Sequence, residues 1–186
     1  MKNKLSVCVF CGSSSGLNSD YAKAAKELGA HLAREQINVI YGGGSTGLMG
    51  QLADATLDGG GNVIGIIPEF LQAAEVGHSK LTELIVTKDM HERKRLMYDK
   101  ADLFISLPGG TGTFDETIET MTWSQLSVFK KQIILVNIAD YWRPFLTLIS
   151  HGIKEGFIHK KNKSLLTVVE TPAQVLDIIK QYLPVN

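Results

Sequence analysis

The sequence is poor in cysteine and carries no excess of charge of either sign. Its two cysteines, Cys8 and Cys11, are too few for a disulfide framework, and on a predicted strand they are interpreted as packing residues. Nineteen Lys and Arg residues balance nineteen Asp and Glu residues, so the basic surface that sequence-independent nucleic-acid binding needs is not expected. The apolar run at 133–136 is far shorter than the roughly 18 to 20 residues that span a bilayer. We therefore expect a cytoplasmic protein that binds neither nucleic acid nor membranes.

Length and composition are those of one ordinary globular domain. The 186 residues fall within the usual range for one domain. Hydrophobic residues make up 44% of the chain and charged residues 20%, close to globular averages. The apolar run at 5–10 is too short for the core of a signal peptide. A single domain over residues 1–186 is predicted, in which 18 glycines exceed the average frequency and are clustered.

Short apolar runs alternate along the chain with segments of helical periodicity. Strands are predicted at 6–11, 38–41, 62–67, 84–87, 102–107, 132–137 and 165–169. Helices are predicted at 20–35, 48–55, 90–101, 113–126, 142–154 and from a capping box at Thr171 to about residue 182. An irregular loop is predicted at 69–80. This alternation predicts an α/β fold with a mostly parallel sheet and helices on both faces.

Three loops that follow predicted strands are candidates for a ligand site, because open parallel sheets bind ligands outside the carboxyl ends of their strands. The first is CGSSSG at 11–16, whose small residues and hydroxyl groups could donate hydrogen bonds to an anion. A flexible turn, with Ser19 as the N-cap of the next helix, explains this loop equally well. Its sequence alone does not decide between the two.

The second loop is GGGSTGLMG at 42–50, in which Gly42, Gly44 and Gly47 have the G-x-G-x-x-G spacing of dinucleotide-binding proteins. Glu69, at the end of the next strand, is placed to bind a ribose in that case. An NAD-dependent dehydrogenase is therefore one alternative, although the motif follows the second strand rather than the first. The loop is not a P-loop, since no Lys follows its last glycine.

The third loop is PGGTGTFDE at 108–116, which opens a predicted helix. The backbone N–H groups of residues 109–113 could cradle a phosphate there. A structural explanation is also available, because Thr113 and Glu116 have the spacing of a capping box. That explanation does not account for three glycines, two threonines and three carboxylates at one strand end, so a functional loop is favoured.

The charged segment DMHERK at 89–94 begins a further predicted helix. Arg93 can bind a ribose hydroxyl, a phosphate or a carboxylate through its planar guanidinium, and Lys94 adds a point charge. Taken alone, the segment is more typical of a solvated helix face with Asp89 as its N-cap. The five histidines lack the spacing of metal ligands, and the sequence predicts neither a metal nor a cofactor.

Together, and in this order, the segments YGGGSTGLMG, DMHERK and PGGTGTFDE resemble the LOG (Lonely guy) family. Its members are cytokinin riboside 5′-monophosphate phosphoribohydrolases, many of them formerly labelled possible lysine decarboxylases. The resemblance covers nearly the whole chain. It implies a single Rossmann-like domain, usually a homodimer with the active site near the subunit interface. It also implies cofactor-free hydrolysis of the N-glycosidic bond of a nucleoside 5′-monophosphate, which releases the free base and ribose 5-phosphate.

The resemblance implies that Arg93 and Glu116 are the catalytic pair. The substrate-binding residues expected from the three loops and the resemblance are Gly12, Ser13, Gly43, Gly44, Gly47, Lys94, Gly109, Gly110, Thr111, Gly112, Thr113, Asp115 and Thr122. In such a reaction a carboxylate like Glu116 stabilises an oxocarbenium-like transition state or deprotonates a water. Arg93 would hold the ribose hydroxyls or keep Glu116 ionised and aimed.

Two positions depart from the pattern of the plant members: Thr111 stands in place of a Tyr and Asp115 in place of a Glu. The preference between adenine and isoprenylated adenine is therefore not predicted. The segment 68–84 is longer than in plant members, and an acidic substrate contact could fall there on Glu69 or Glu75. A nucleotide-binding carrier or sensor of the same fold is the main alternative function, while nothing marks the Schiff-base lysine of a pyridoxal-dependent decarboxylase.

Overall fold

The structure, a computed structural model, describes residues 4–72 and 77–181. Within these ranges seven strands form one sheet in the order β4-β3-β2-β1-β5-β6-β7. The strands are β1 (Ser6–Phe10), β2 (Asn38–Tyr41), β3 (Val63–Pro68), β4 (Glu83–Thr87), β5 (Leu103–Ser106), β6 (Ile133–Val136) and β7 (Leu166–Val169). Neighbouring strands pair in parallel, with Val7 of β1 opposite Val39 of β2 and Leu103 of β5. The predicted α/β fold is confirmed.

Helices connect successive strands of the sheet. They are α1 (Ser19–Arg34), α2 (Gly47–Asp58), α3 (Glu69–Gln72), α4 (Met90–Lys100), α5 (Thr111–Gln125), α6 (Arg143–Lys154) and α7 (Pro172–Ile179). The irregular loop predicted at 69–80 therefore begins with a short helix. The predicted end of α7 near residue 182 lies outside the described residues, and the helix stops at Ile179. In the described part of the chain, no helix is long and apolar enough to cross a membrane.

The strands bury both faces, as a parallel sheet covered by helices requires. Side chains alternate along β1: Val7 and Val9 pack in the cluster beneath α1, α2 and α7, whereas Cys8 and Phe10 pack in the cluster beneath α4 and α5. Cys11 belongs to the first cluster, so the two free cysteines face opposite layers. Their interpretation as packing residues is confirmed.

Side-chain caps fix the start of three helices. Asn18, rather than the expected Ser19, caps α1 by accepting a hydrogen bond from the Asp20 N–H at 2.9 Å. Asp89 caps α4 in the same way, accepting from the Glu92 N–H at 2.9 Å. The capping box predicted at Thr171 is present at the start of α7. Two of the three caps therefore follow the sequence pattern.

Helix α5 begins two residues earlier than predicted. Its N-cap is Gly110, in an extended conformation, and its first residue is Thr111. Thr113 is thus the third residue of the helix, and the alternative explanation of Thr113 and Glu116 as a capping box is wrong. Gly110 has no side chain with which to cap the helix. The first N–H groups of α5, which lack intrahelical acceptors, consequently remain for another partner.

The order of the strands places the loops after β1 and β5 beside each other. These two strands are neighbours in the sheet, yet the chain leaves β1 towards β2 on one side and β5 towards β6 on the other. Such a reversal leaves a crevice at the carboxyl ends of the strands, where ligands of open α/β sheets bind. The N–H of Gly12 donates to the carbonyl of Pro108 at 3.1 Å and joins the two loops.

Candidate active site

A cavity of about 190 Å³ lies in this crevice. It brings together the end of β1, the residue that follows β2, the first turns of α5, and side chains from α2 and α4. Its lining residues are Val9, Phe10, Cys11, Gly12, Ser13, Gly42, Met49, Arg93, Gly110, Thr111, Gly112, Thr113 and Glu116. Residues from all three candidate loops and from DMHERK therefore meet at one site.

One wall of the cavity is the N-terminus of α5. Thr111, Gly112 and Thr113 are its first three residues, and all three line the cavity. The positive end of the helix dipole and free backbone N–H groups favour an anion at such a position. Glycine at position 112 leaves the backbone open to a ligand, since a β-carbon there would meet nothing within 4 Å. This wall is suited to a phosphate.

The guanidinium of Arg93 also lines the cavity. Its Nε donates to the carbonyl of Ile66 at 3.1 Å, and its Nη2 donates to the carbonyl of Gly42 at 3.4 Å. Ile66 lies on β3 and Gly42 directly follows β2, so the cation is held against the ends of two strands. Its side chain is 9% exposed. The alternative of a solvated helix face is therefore wrong for Arg93.

Glu116 reaches the cavity from the second turn of α5. Its side chain is 10% exposed, and its Oε1 lies 3.8 Å from Nη2 of Arg93. Two opposite charges in a poorly solvated site attract each other more strongly than they would in water. The predicted catalytic pair is thus adjacent, on two different helices, with the start of α5 close by.

Cys11 lines the same cavity with a buried thiol. Burial, and then the charge of Glu116, raises the pKa of its thiol well above the usual range. A thiol in that state stays neutral, and the thiolate is the reactive form of cysteine. Cys11 therefore contributes apolar surface to the cavity wall.

Lys94 and Asp115 lie beside the catalytic pair, outside the cavity lining. The Lys94 ammonium is 3.1 Å from Oδ2 of Asp115 and 2.9 Å from Oε2 of Glu119. The two predicted binding residues are thus bound to each other, one on α4 and one on α5. Any contact between Lys94 and a substrate would compete with these two carboxylates.

The other predicted binding residues support the loops rather than line the cavity. The carbonyl of Gly43 accepts a hydrogen bond from the His78 N–H at 3.1 Å, and the carbonyl of Gly44 accepts one from the Tyr41 hydroxyl at 3.1 Å. Gly109 packs directly behind the cavity wall, against Gly12. Thr122 lies on the exposed face of α5, where its hydroxyl donates to the carbonyl of Ile118 at 2.9 Å.

The helix N-terminus that follows the G-x-G-x-x-G loop binds a carbonyl of the protein itself. The N–H groups of Leu48 and Met49, in the first turn of α2, donate to the carbonyl of Gly12 at 3.0 and 3.2 Å. Gly47 has a φ of +60°, and a β-carbon there would overlap the backbone at Ser13. Because the first loop already occupies this helix end, the pyrophosphate site of a dehydrogenase is not available there.

Several lining residues were not expected from the sequence. Gly42 belongs to the glycine motif, yet the expected binding glycines of that loop are Gly43, Gly44 and Gly47. Met49 has the helical spacing of a core residue, and nothing in the sequence marks it as facing a cavity.

Of the two acidic candidates for a substrate contact, Glu69 is exposed on α3 and Glu75 lies outside the described residues. Residues 4–72 and 77–181 contain no cluster of three or more His, Cys, Asp or Glu side chains suited to a metal.

Comparison with known proteins identifies the family of the chain. Residues 49–179 match the family model described as "Possible lysine decarboxylase". The chain is 41% identical over 178 residues to the cytokinin riboside 5′-monophosphate phosphoribohydrolase LOG2 of Arabidopsis thaliana, a match that covers 96% of this chain and 84% of that protein. It is 46% identical over 164 residues to the cytokinin riboside 5′-monophosphate phosphoribohydrolase of Rhodococcoides fascians, a match that covers 88% of this chain and 83% of that protein.

Solved structures share the fold at lower identity. The molybdenum cofactor binding protein of Rippkaea orientalis has a TM-score of 0.73 over 99% of this chain and 100% of that one, at 19% identity. At that identity the likeness shows the fold alone. The family model and the two phosphoribohydrolases, by contrast, match most of the sequence. The chain belongs to the LOG family of cytokinin riboside 5′-monophosphate phosphoribohydrolases.

Proposed function

We propose that this protein hydrolyses the N-glycosidic bond of nucleoside 5′-monophosphates, such as AMP or isopentenyladenosine monophosphate, to the free base and ribose 5-phosphate. The observation that carries the proposal is the buried Arg93–Glu116 pair, 3.8 Å apart, in a cavity whose other wall is the start of α5. A carboxylate and an anion site a short distance apart match the two ends of a ribose 5-phosphate. The names of the relatives support the same reaction.

The 5′-phosphate binds at the N-terminus of α5 in this proposal. Thr111, Gly112 and Thr113 supply backbone N–H groups there, and Thr111 and Thr113 add hydroxyl groups. Gly12 and Ser13 close the site from the loop after β1. Binding of this remote group helps to orient the reacting bond. A nucleoside without the phosphate should therefore react poorly.

Glu116 acts at C1′ of the ribose. Cleavage of the glycosidic bond develops positive charge on the sugar, and a carboxylate close to that carbon stabilises the charge or deprotonates the attacking water. Arg93 orients this carboxylate and the ribose hydroxyls through its planar guanidinium. Because backbone carbonyls of Ile66 and Gly42 fix Arg93, it serves to position groups rather than to transfer a proton.

We also infer a cytoplasmic homodimer. The cavity of about 190 Å³ is smaller than the roughly 300–1,000 Å³ typical of sites that enclose a small molecule. Next to it, α5 and the turn after it expose Ile118, Leu126 and Val128, with 48%, 66% and 62% of their surface accessible. A second copy packed on this face would bury them and help to enclose the base. Thr122, on the same exposed face, would then contact substrate across the interface.

A nucleotide carrier or sensor is less well supported than a hydrolase. The molybdenum cofactor binding protein with this fold is 19% identical to the chain, whereas the two phosphoribohydrolases are 41% and 46% identical. A carrier would also have no use for a carboxylate aimed beside the ligand by an arginine. Product analysis distinguishes the two functions, because a carrier binds AMP and releases it unchanged.

The test compares base release from AMP and adenosine by the purified protein, with ribose 5-phosphate measured as the second product. AMP should be cleaved, and adenosine should be cleaved at least about 100-fold more slowly, since it lacks the group that α5 holds. A panel of AMP, GMP, CMP and isopentenyladenosine monophosphate then defines the base preference. Equal turnover of AMP and adenosine, or AMP recovered intact after binding, would overturn the proposal.

A further inference from the structure

A cluster of charged and hydroxyl side chains joins α4 to α5 immediately behind the catalytic pair. Lys94 and Tyr98 are one turn apart on α4, and Asp115 and Glu119 are one turn apart on α5. Lys94 directly follows Arg93 in the sequence. Asp115 directly precedes Glu116. Each helix therefore carries one catalytic residue and two residues of the cluster.

Glu119 is the centre of this cluster. Its Oε2 accepts a hydrogen bond from the Tyr98 hydroxyl and lies 2.9 Å from the Lys94 ammonium. The same ammonium lies 3.1 Å from Oδ2 of Asp115. Lys94 is 13% exposed and Glu119 25% exposed, so solvent screens this ion pair less than it screens an ordinary surface pair. One carboxylate of α5 is thus bound to two donors of α4.

The aromatic core keeps Tyr98 fixed. Its ring is 1% exposed and packs edge-on against Phe104 and Trp123, with ring centroids 5.7 and 4.9 Å away. Burial, and then the hydrogen bond to Glu119, raises the pKa of Tyr98 far above its usual range, so the hydroxyl remains a neutral donor. Burial lowers the pKa of Lys94, but its hydrogen bonds to Glu119 and Asp115 outweigh this and raise it. Both donors therefore keep their protons throughout the neutral range.

We propose that Glu119, held by Tyr98 and Lys94, is a positioning residue that sets the separation of Arg93 and Glu116. Arg93 is fixed to the sheet through Ile66 and Gly42, so the separation depends on where α5 places Glu116. Glu119 lies one turn beyond Glu116 on the same face of α5, and its contacts hold that turn against α4. The inference rests on the proposed hydrolysis. In that reaction a displacement of about 1 Å at a catalytic group can cost about 100-fold in rate.

The test uses three variants of the cluster, assayed well below their melting temperatures. Glu119→Ala and Tyr98→Phe should each lower kcat for AMP, by about 10- to 100-fold for the first and less for the second. KM and the Kd for AMP should change by less than about threefold, because the phosphate is held at the start of α5. Glu119→Gln should recover most of the lost kcat, since its amide oxygen still accepts hydrogen bonds from Tyr98 and Lys94.

The control is Asp177→Asn, which removes the pair between Asp177 and Lys180 on α7, beneath the opposite face of the sheet. It should leave kcat unchanged. A purely structural role for Glu119 would lower the melting temperature of Glu119→Ala without lowering kcat in the folded protein. That result would overturn the positioning role of Glu119 and leave the proposed hydrolysis unaffected. Failure of the unaltered protein to cleave AMP would instead overturn the proposed function, and the positioning role with it.

Discussion

The guanidinium of Arg93 occupies the space that a β-carbon would take at Gly42. Its Nη2 donates to the Gly42 carbonyl at 3.4 Å and lies 3.8 Å from Oε1 of Glu116. A side chain at position 42 would overlap this nitrogen. The first glycine after β2 therefore makes room for the guanidinium of Arg93. The glycine loop contacts the candidate site through Arg93, although its own helix N-terminus is bound to the carbonyl of Gly12.

Gly42→Ala should reduce activity and also lower stability. The methyl group would overlap the guanidinium of Arg93 and, at 3.1 Å, contact the sulfur of Met49. Relief of the overlap displaces Arg93, which then loses its hydrogen bonds to Ile66 and Gly42 and its alignment with Glu116. We expect kcat for AMP to fall by about 10- to 100-fold and the melting temperature to fall as well, because a buried ion pair is disturbed. The control is Gly77→Ala, where the nearest atoms to a β-carbon lie at an ordinary 3.6 Å; equal kcat in both variants would contradict the prediction.

Glu116→Gln and Arg93→Lys should slow hydrolysis and spare AMP binding. Glutamine keeps the shape of Glu116 but can neither accept a proton nor stabilise positive charge, so kcat should fall by about 100- to 10,000-fold. Lysine keeps the charge of Arg93 but cannot donate to Ile66 and Gly42 while facing Glu116, so a smaller loss is expected. Calorimetric titration with AMP would check binding, and Glu155→Gln, at the exposed end of α6, is the matched control. Loss of AMP binding in parallel with kcat would argue against these roles.

The sequence was sufficient to predict the fold and the loops that form the site, because both depend on local patterns. Apolar runs and helical periodicity identify β1 to β7 and the helices between them except the short α3. The individual charged side chains of the site were harder to assign, since their surroundings depend on which long-range contacts form. Arg93 resembles its charged neighbours in sequence, and its burial becomes evident only when β2 and β3 supply carbonyl acceptors. The position of Glu119 likewise becomes informative only through its hydrogen bond with Tyr98, which is 21 residues away in the sequence.

The start of α5 was predicted incorrectly from local patterns. The residues Thr113 and Glu116 have the spacing of a capping box, which places the start of the helix at Thr113. The helix instead begins at Thr111, beside a close approach of the loops after β5 and β1 that Gly109 and Gly12 allow. A β-carbon at Gly109 would lie 2.8 Å from the Gly12 nitrogen. Capping patterns contain no information about such an approach between two distant loops.

Gly109→Ala and Gly112→Ala should have opposite effects on stability. At position 109 a methyl group would lie 2.7 Å from the β-carbon of Thr113 and 2.8 Å from the backbone nitrogen of Gly12. Relief of that overlap requires backbone movement, so a loss of about 1–3 kcal/mol is expected. At position 112 a methyl group meets nothing within 4 Å, and alanine favours a helix over glycine by up to about 1 kcal/mol. Urea denaturation measures the free energy of unfolding of both variants. Equal destabilisation would show that the space around these glycines does not determine the effect of a methyl group on stability.

Asp89 should make the stability of the protein depend on pH in the acid range. The hydrogen bond from the Glu92 N–H, aided by one from His91, holds the pKa of Asp89 below its ordinary value of about 4 despite some desolvation. A carboxyl group whose pKa is lower in the folded state stabilises the fold above its unfolded pKa. That contribution is lost as the pH falls through the folded value. It is therefore complete at neutral pH and declines as the pH falls below about 4.

Asp89→Asn isolates this effect, because asparagine accepts the same hydrogen bond from the Glu92 N–H but does not titrate. The unaltered protein should be more stable than this variant at about pH 6, where the carboxylate also favours the positive end of α4. The difference should shrink as the pH falls below about 4 and Asp89 takes up a proton, while Asp89→Ala should be the least stable of the three at the higher pH. Urea denaturation at several pH values provides the measurement. A constant difference between the unaltered protein and Asp89→Asn across this pH range would mean that the cap acts through its geometry and not through its charge.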